Sequence, residues 1–287
     1  MKLDNDILTI EVTEHGAELV SLKKDGREYL WTGDAAYWNR HAPILFPAVG
    51  KPYNNELHVD GKVYSMKQHG FARDAEFTEH DGWYVLAENG RDNFPYAYEL
   101  AVKYEVDGNT LTCNWQVTNR GDETMYFQIG AHPAFLLPEY DVMHQLHGHL
   151  RCYDGNGNTV LPVTTTRLVD GLRQKTAPKV LANKDTLIPI TDRTFADDAI
   201  ILDAGNIAGV GLMDAKGNEI LRVSCPQAQV FGLWAPNKPG CPFVCIEPWC
   251  GIADNAGFKG DISERDCIHS LESGKSFDFC YSITLNS

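Results

Sequence analysis

Three segments of this chain place an acid–base group in a setting that could give it work to do. The run Phe243-Val244-Cys245-Ile246-Glu247-Pro248-Trp249-Cys250 carries a carboxylate directly after four apolar residues. Burying a carboxylate is costly unless it is paired or protonated, and glutamate is rarely fully buried. Glu247 is therefore the most informative residue in the chain. Pro248 should take the backbone out of a strand ladder, and the Trp249 indole can stack on the apolar face of a sugar. A hydrogen-bonded structural carboxylate at a strand end is the other account of Glu247. In Tyr126-Phe127-Gln128-Ile129-Gly130-Ala131-His132-Pro133, His132 ends an apolar run, and the following proline biases it toward extended backbone. Apolar neighbours can move an imidazole into its working range, although a satisfied core histidine explains that segment at least as well. In Lys67-Gln68-His69-Gly70-Phe71-Ala72-Arg73, His69 precedes a glycine, where backbone can approach a ligand closely. An ordinary surface turn also accounts for it.

Two further segments could hold a polar substrate. Arg40 and His41 lead into Ala42-Pro43-Ile44-Leu45-Phe46-Pro47. An arginine beside aromatic residues suits fixed-fork recognition of hydroxyls or carboxylates, with a surface salt bridge as the alternative. Asp197 and Asp198 precede the apolar run Ala199–Leu202; they could bind vicinal hydroxyls or merely cap a loop. Cys241, Cys245 and Cys250 lack the paired short spacings of a zinc ribbon. Cys245 lies inside an apolar run, so core packing is the better reading.

The elements that must position these groups are strands. Tyr98–Val106 alternates apolar and polar residues, Asp107-Gly108-Asn109 supplies a turn, and Leu111–Thr118 alternates again. Residues 276–285 repeat the pattern. Further strands are expected at Ile7–Val12, Leu19–Leu22, Trp83–Ala87, Thr124–Ile129, Ala199–Leu202, Gly209–Met213, Glu219–Val223, Val230–Trp234 and Phe243–Glu247, several set off by Asp-Gly turns. Helical candidates are short, at Ala35–Trp38 and Asp261–Cys267. Gly148–Lys184 reads as a long connection. Many antiparallel strands without a repeat or linker predict an all-β fold, a large antiparallel β-sandwich spanning residues 1–287 as a single domain.

The 287 residues are 43% apolar and carry a net charge of −14. That charge repels phosphate backbones, so no nucleic-acid partner is expected. No apolar run approaches a membrane span, and no signal peptide opens the chain. The eight cysteines are then expected to be thiols in a cytoplasmic protein.

Taken in order, His-Gly-Phe-Ala-Arg, Gly-Ala-His-Pro-Ala-Phe and Ile-Glu-Pro-Trp resemble the aldose 1-epimerase (galactose mutarotase) family, and most closely its LacX-like branch. Gly16-Ala17-Glu18-Leu19-Val20-Ser21-Leu22 fits as well. The resemblance runs from about residue 6 to the end. It implies a galactose-mutarotase-like β-supersandwich acting on a sugar without metal, cofactor or covalent intermediate, as a monomer or homodimer. It implies Glu247 as general base, His132 as general acid and His69 as a second histidine holding the sugar. Arg40 and, with one residue of slack, Asp198 would bind substrate beside Trp249. The Asn-His-Ser/Thr-Tyr-Phe stretch of well-known mutarotases is Ala131-His132-Pro133-Ala134-Phe135 here. Mutarotation needs a base at the C1 hydroxyl and an acid at the ring oxygen, with Glu247 ionised and His132 protonated. The rival readings are a hexose-6-phosphate epimerase, a non-catalytic sugar-binding protein, and a zinc enzyme using two histidines and the glutamate.

Overall fold

The computed structural model describes residues 1–137, 140–141, 143–182, 186–203 and 205–286. Its widest sheet has nine strands. The middle strand of that sheet is the C-terminal Ser276–Leu285, and beside it lies the long hairpin of Thr110–Asn119 with Phe94–Asp107. The alternating sequence sets the register. Tyr98, Leu100, Val102 and Tyr104 are buried on one face, and Trp115 opposes Phe279 with ring centroids 5.2 Å apart. Tyr104 donates its hydroxyl to Ala17 O at 2.7 Å, tying this sheet to the four-stranded N-terminal sheet.

A six-stranded sheet contains Phe243–Cys250, with Val230–Trp234 on one side and both Ile129–Ala131 and Ala134–Leu136 on the other. Phe46 extends from its edge strand and packs against Phe94, Tyr98 and Phe127, so the main core lies between the two large sheets. The molecule is an all-β sandwich, as expected. Asp25-Gly26, Asp60-Gly61 and Asp81-Gly82 each close a two-residue hairpin with both residues at positive φ.

Several expectations need correction. Thr124–Ile129 is two strands, Met125–Phe127 and Ile129–Ala131, parted at Gln128. The buried Gln128 amide bonds Val49 N, Ile252 O and Asp266 O, which holds the chain at a corner. Phe243–Glu247 runs on through Pro248 to Cys250. Gly148–Lys184 is not a bare connection: it forms Gly148–Tyr153 in the nine-stranded sheet and two small hairpins. Its last two residues lie outside the described ones. Ala35–Trp38 is a turn, and Asp261–Cys267 holds only the short 3-10 segment Ile262–Glu264 with a capping box.

Candidate active site

The site is built where a ladder breaks. Phe243–Cys250 is buried along its whole length. On one side Phe231 opposes Pro248 and Gly232 opposes Glu247. On the other side the neighbouring strand is in two pieces: Ala134 opposes Cys245, Gly130 opposes Trp249, and His132-Pro133 fill the gap. Both pieces keep one register, which sets His132 directly across from Glu247. Ile246 N donates to Pro133 O at 3.1 Å. By the same register Pro248, two residues on, faces Ala131, the last residue before the break, so the bond its ring nitrogen cannot donate is lost at the end of that short ladder. The proline was expected to end the strand; here it fits because the adjacent strand is already interrupted.

His132 Nε2 lies 3.1 Å from Glu247 Oε2, both residues nearly inaccessible. Trp38 covers the imidazole face at 4.9 Å between centroids, and Trp234 meets it edge-on at 5.7 Å. Burial pushes the Glu247 carboxyl well above the usual carboxylate range, with the Trp249 indole opposing the shift. Burial, then the charge of Arg73, holds His132 down to about 3. Both directions favour the neutral pair, a protonated carboxyl facing a neutral imidazole. The expected ionised Glu247 and protonated His132 are the other tautomer of the same one-proton pair. Glu247 Oε2, His132 Nδ1 and Trp249 Nε1 are buried without a hydrogen-bond partner among the described residues, so little compensates separated charge.

His69 reaches the same space from a turn at φ 66°, its ring 5.4 Å from that of His132. Gly50 N donates to His69 Nδ1 at 3.1 Å. That fixes Nδ1 as acceptor and leaves the proton on Nε2. Burial, then His132, keeps the ring well below its ordinary pKa. His69 is thus a neutral hydrogen-bond donor. Trp249 occupies a slot between two glycines: a Cβ would come within 2.7 Å of its indole from Gly130 and 2.6 Å from Gly232.

These groups line a cavity of about 410 Å³ together with Gln68, Arg73, Asp170, Gly171 and Asp198. Of the residues singled out from sequence, Glu247, His132, His69, Trp249 and Asp198 come together here. Asp197 instead lines an adjoining cavity of about 450 Å³. Asp198, at φ 140°, accepts from Ala199 N at 2.7 Å and from Gly171 N at 3.3 Å. Arg40 is not on the wall. Its guanidinium donates to Asp74 at 2.7 Å and to Arg73 O at 3.4 Å. The arginine that faces the cavity is Arg73, whose Nη2 donates to Gln68 O at 2.8 Å and whose Nε is buried with no hydrogen-bond partner among the described residues. Burial, then Arg40, lowers its pKa to about 10.

Sequence reasoning passed over Trp38, Trp234, Gln68 and the Asp170-Gly171 tip, and did not place Arg73 in the site. Arg73 closes the His-Gly-Phe-Ala-Arg motif, so the signal was present. Asp170-Gly171 is one more Asp-Gly hairpin turn, hidden in the stretch read as a connection. The cysteine spacing yields no three-cysteine group among the described residues. Among the described residues, the one cluster of possible metal donors is His132, Cys245 and Glu247, with His69 outside it.

A family model for aldose 1-epimerase matches residues 1–284. This chain belongs to the aldose 1-epimerase family. It is 33% identical over 284 residues to the chromosomal protein LacX of Lactococcus lactis subsp. lactis, spanning 92% of this chain and 91% of that relative. A galactose mutarotase related enzyme from Lactobacillus acidophilus superposes with a TM-score of 0.90 at 31% identity, covering 100% of this chain and 97% of the other. A galactose mutarotase-like protein from Lactobacillus casei gives 0.91 at 28%, covering 100% and 99%. Among the described residues, no helix is long and apolar enough to cross a membrane.

Proposed function

We propose that this protein is a cofactor-independent aldose 1-epimerase that interconverts the α and β anomers of a hexose. The observation that carries the reading is the His132–Glu247 pair, 3.1 Å apart on the wall of a cavity that also presents tryptophan faces. The two oxygens that exchange protons in mutarotation are bonded to one carbon, so a base and an acid side by side can serve both. Glu247 takes the proton of the C1 hydroxyl while His132 gives one to the ring oxygen. The ring opens, the C1–C2 bond turns, and closure on the other face runs the transfers backward. Starting this way requires the pair's proton on His132. The Glu247 carboxylate then needs hydrogen bonds that burial alone does not supply, and the sugar hydroxyls provide them.

His69 Nε2–H, Arg73 and Asp198 hold the remaining hydroxyls, and Trp249 supports the ring's apolar face. Arg40 contributes through Arg73, whose carbonyl it holds. The eight cysteines are all unpaired, which suits a reducing cytoplasm. The protein acts as a single domain on a small sugar, without nucleic acid or membrane. Polarimetry on fresh α-D-glucose and α-D-galactose tests the reading. The protein should speed the change in rotation over buffer, with chelator present. Sugar binding without acceleration would instead make it a sugar-binding protein.

A further inference from the structure

Cys245 stands two residues before Glu247 on the same face of its strand and directly across from Ala134. His132 and Ala134 share the matching face of the neighbouring chain, so cysteine, glutamate and histidine meet at one spot. One donor atom from each of His132, Cys245 and Glu247 lies within 4.8 Å of the other two, and all three residues are buried. We propose that these residues form a binding site for a thiophilic divalent cation, zinc above all, and that occupancy shuts the enzyme off. The inference rests on His132 and Glu247 being the working pair.

The donor set is what distinguishes the site. A nitrogen, a thiolate and a carboxylate suit zinc, and the thiolate rejects magnesium and calcium. Tetrahedral zinc with ordinary bond lengths places its ligands about 3.4–3.6 Å apart. The His132–Glu247 edge, at 3.1 Å, is already close to that, and the thiol edges, within 4.8 Å, need to close by up to about 1.2–1.4 Å to reach it. Glu247 Oε2 is buried and has no hydrogen-bond partner among the described residues, so a lone pair is available. Entry is through the cavity, which Glu247 and His132 both line.

On binding, the thiol proton and the proton shared by the pair pass to buffer. Thiolate and carboxylate then neutralise the dication, which a buried site requires. No electron moves. The metal takes the imidazole nitrogen that must carry the transferable proton and withdraws charge from the carboxylate that must accept one, so turnover stops. The cavity wall does not include Cys245, which packs with Trp31, Ala134 and Phe243. Replacing it should therefore spare catalysis.

The test uses the full-length protein freed of metal by chelator. Wild type should lose mutarotation on adding zinc and regain it with chelator, while magnesium and calcium do nothing. Cobalt(II) should give the near-ultraviolet thiolate charge-transfer band. Cys245→Ser should turn over sugar as wild type does, lose the cobalt band, and need at least about 100-fold more zinc for inhibition, since losing a direct ligand exceeds the roughly 10–100-fold loss of an outer partner. Should Cys245→Ser fold poorly, Cys245→Ala carries the same expectations. Equal zinc sensitivity in wild type and variant, or no thiolate band in wild type, overturns the proposal. The cobalt band needs no activity. A protein that shows the band yet never turns over sugar retains the metal site and loses the proposed function instead.

Discussion

The nine-stranded sheet and the six-stranded sheet solve different problems. In the long hairpin of the first, Thr110–Asn119 buries every second residue and leaves the others toward solvent. Its exposed polar side chains pair across strands, as Gln116 does with Asp278 at 2.9 Å and Thr118 with Ser276 at 2.8 Å. In the second, Phe243–Cys250 is buried on both faces, and the neighbouring strand is cut at His132-Pro133. The cut interrupts the ladder between Ala131 and Ala134. It also turns two titratable side chains toward each other in a low-dielectric wall. Stability sits in the regular sheet and chemistry in the broken one, and that separation can be attacked from either end.

The largest effects should come from the break. Glu247→Gln and His132→Asn should each lower kcat by about 10²–10⁴-fold with thermal unfolding nearly unchanged. His132→Asn should affect sugar binding less than turnover. A large drop in Tm with kcat intact would reverse the division of labour. The opposite pattern is expected for Trp115→Ala, which removes a buried ring stacked on Phe279. It should cost about 3–5 kcal/mol in denaturant unfolding, with kcat per folded molecule unaltered. Gly232→Ala falls between the two. Its methyl would meet the Trp249 indole at 2.6 Å, costing about 1–3 kcal/mol and raising KM. The smallest effect separates the two arginines: Arg73→Ala should raise KM more than Arg40→Ala does, because only Arg73 faces the cavity. An equal or larger rise for Arg40→Ala would put that residue on the sugar.

The pH dependence sharpens the same contrast. The working pair carries one proton. It gains a second only where His132, held to about 3, titrates. It loses its own only well above the usual carboxylate range, where the raised Glu247 gives way. After correction for the buffer reaction, kcat/KM should fall in strong acid, where His132 takes up a proton, and again as pH rises past the raised Glu247 carboxyl. Both apparent values belong to the pair. An acid limb near the ordinary histidine range would mean that His132 is not held neutral.

The regular sheet was legible because period-two alternation and Asp-Gly turns are local properties. Tyr98–Val106 and its partner could be read without knowing what they pack against. Glu247 was also legible, since a carboxylate inside an apolar run contradicts its surroundings. What could not be read locally was the pairing. Nothing in Gly-Ala-His-Pro shows that the strand beside Phe243–Cys250 breaks at His132-Pro133, across from Glu247 and Ile246, and for that reason Pro248 was expected to end its strand. Arg40 and Arg73 both stand near aromatic residues in sequence, and only the turn after Gly70 decides which one faces the cavity. The Gly148–Lys184 stretch was misjudged because its strands are two to six residues long and polar on one side. Its Leu168 and Asp170-Gly171 contributions to the cavity went unseen with it.

The central claim is that Glu247 and His132 work as one proton-transfer unit. The most direct test compares kcat for mutarotation in wild type, Glu247→Gln, His132→Asn and the double variant under one set of conditions. A single unit predicts that the double variant is no slower than the worse single one, because either change alone disables the pair. Losses that multiply, giving a double variant slower by the product of the two single effects, would show that the residues act independently and would contradict the account.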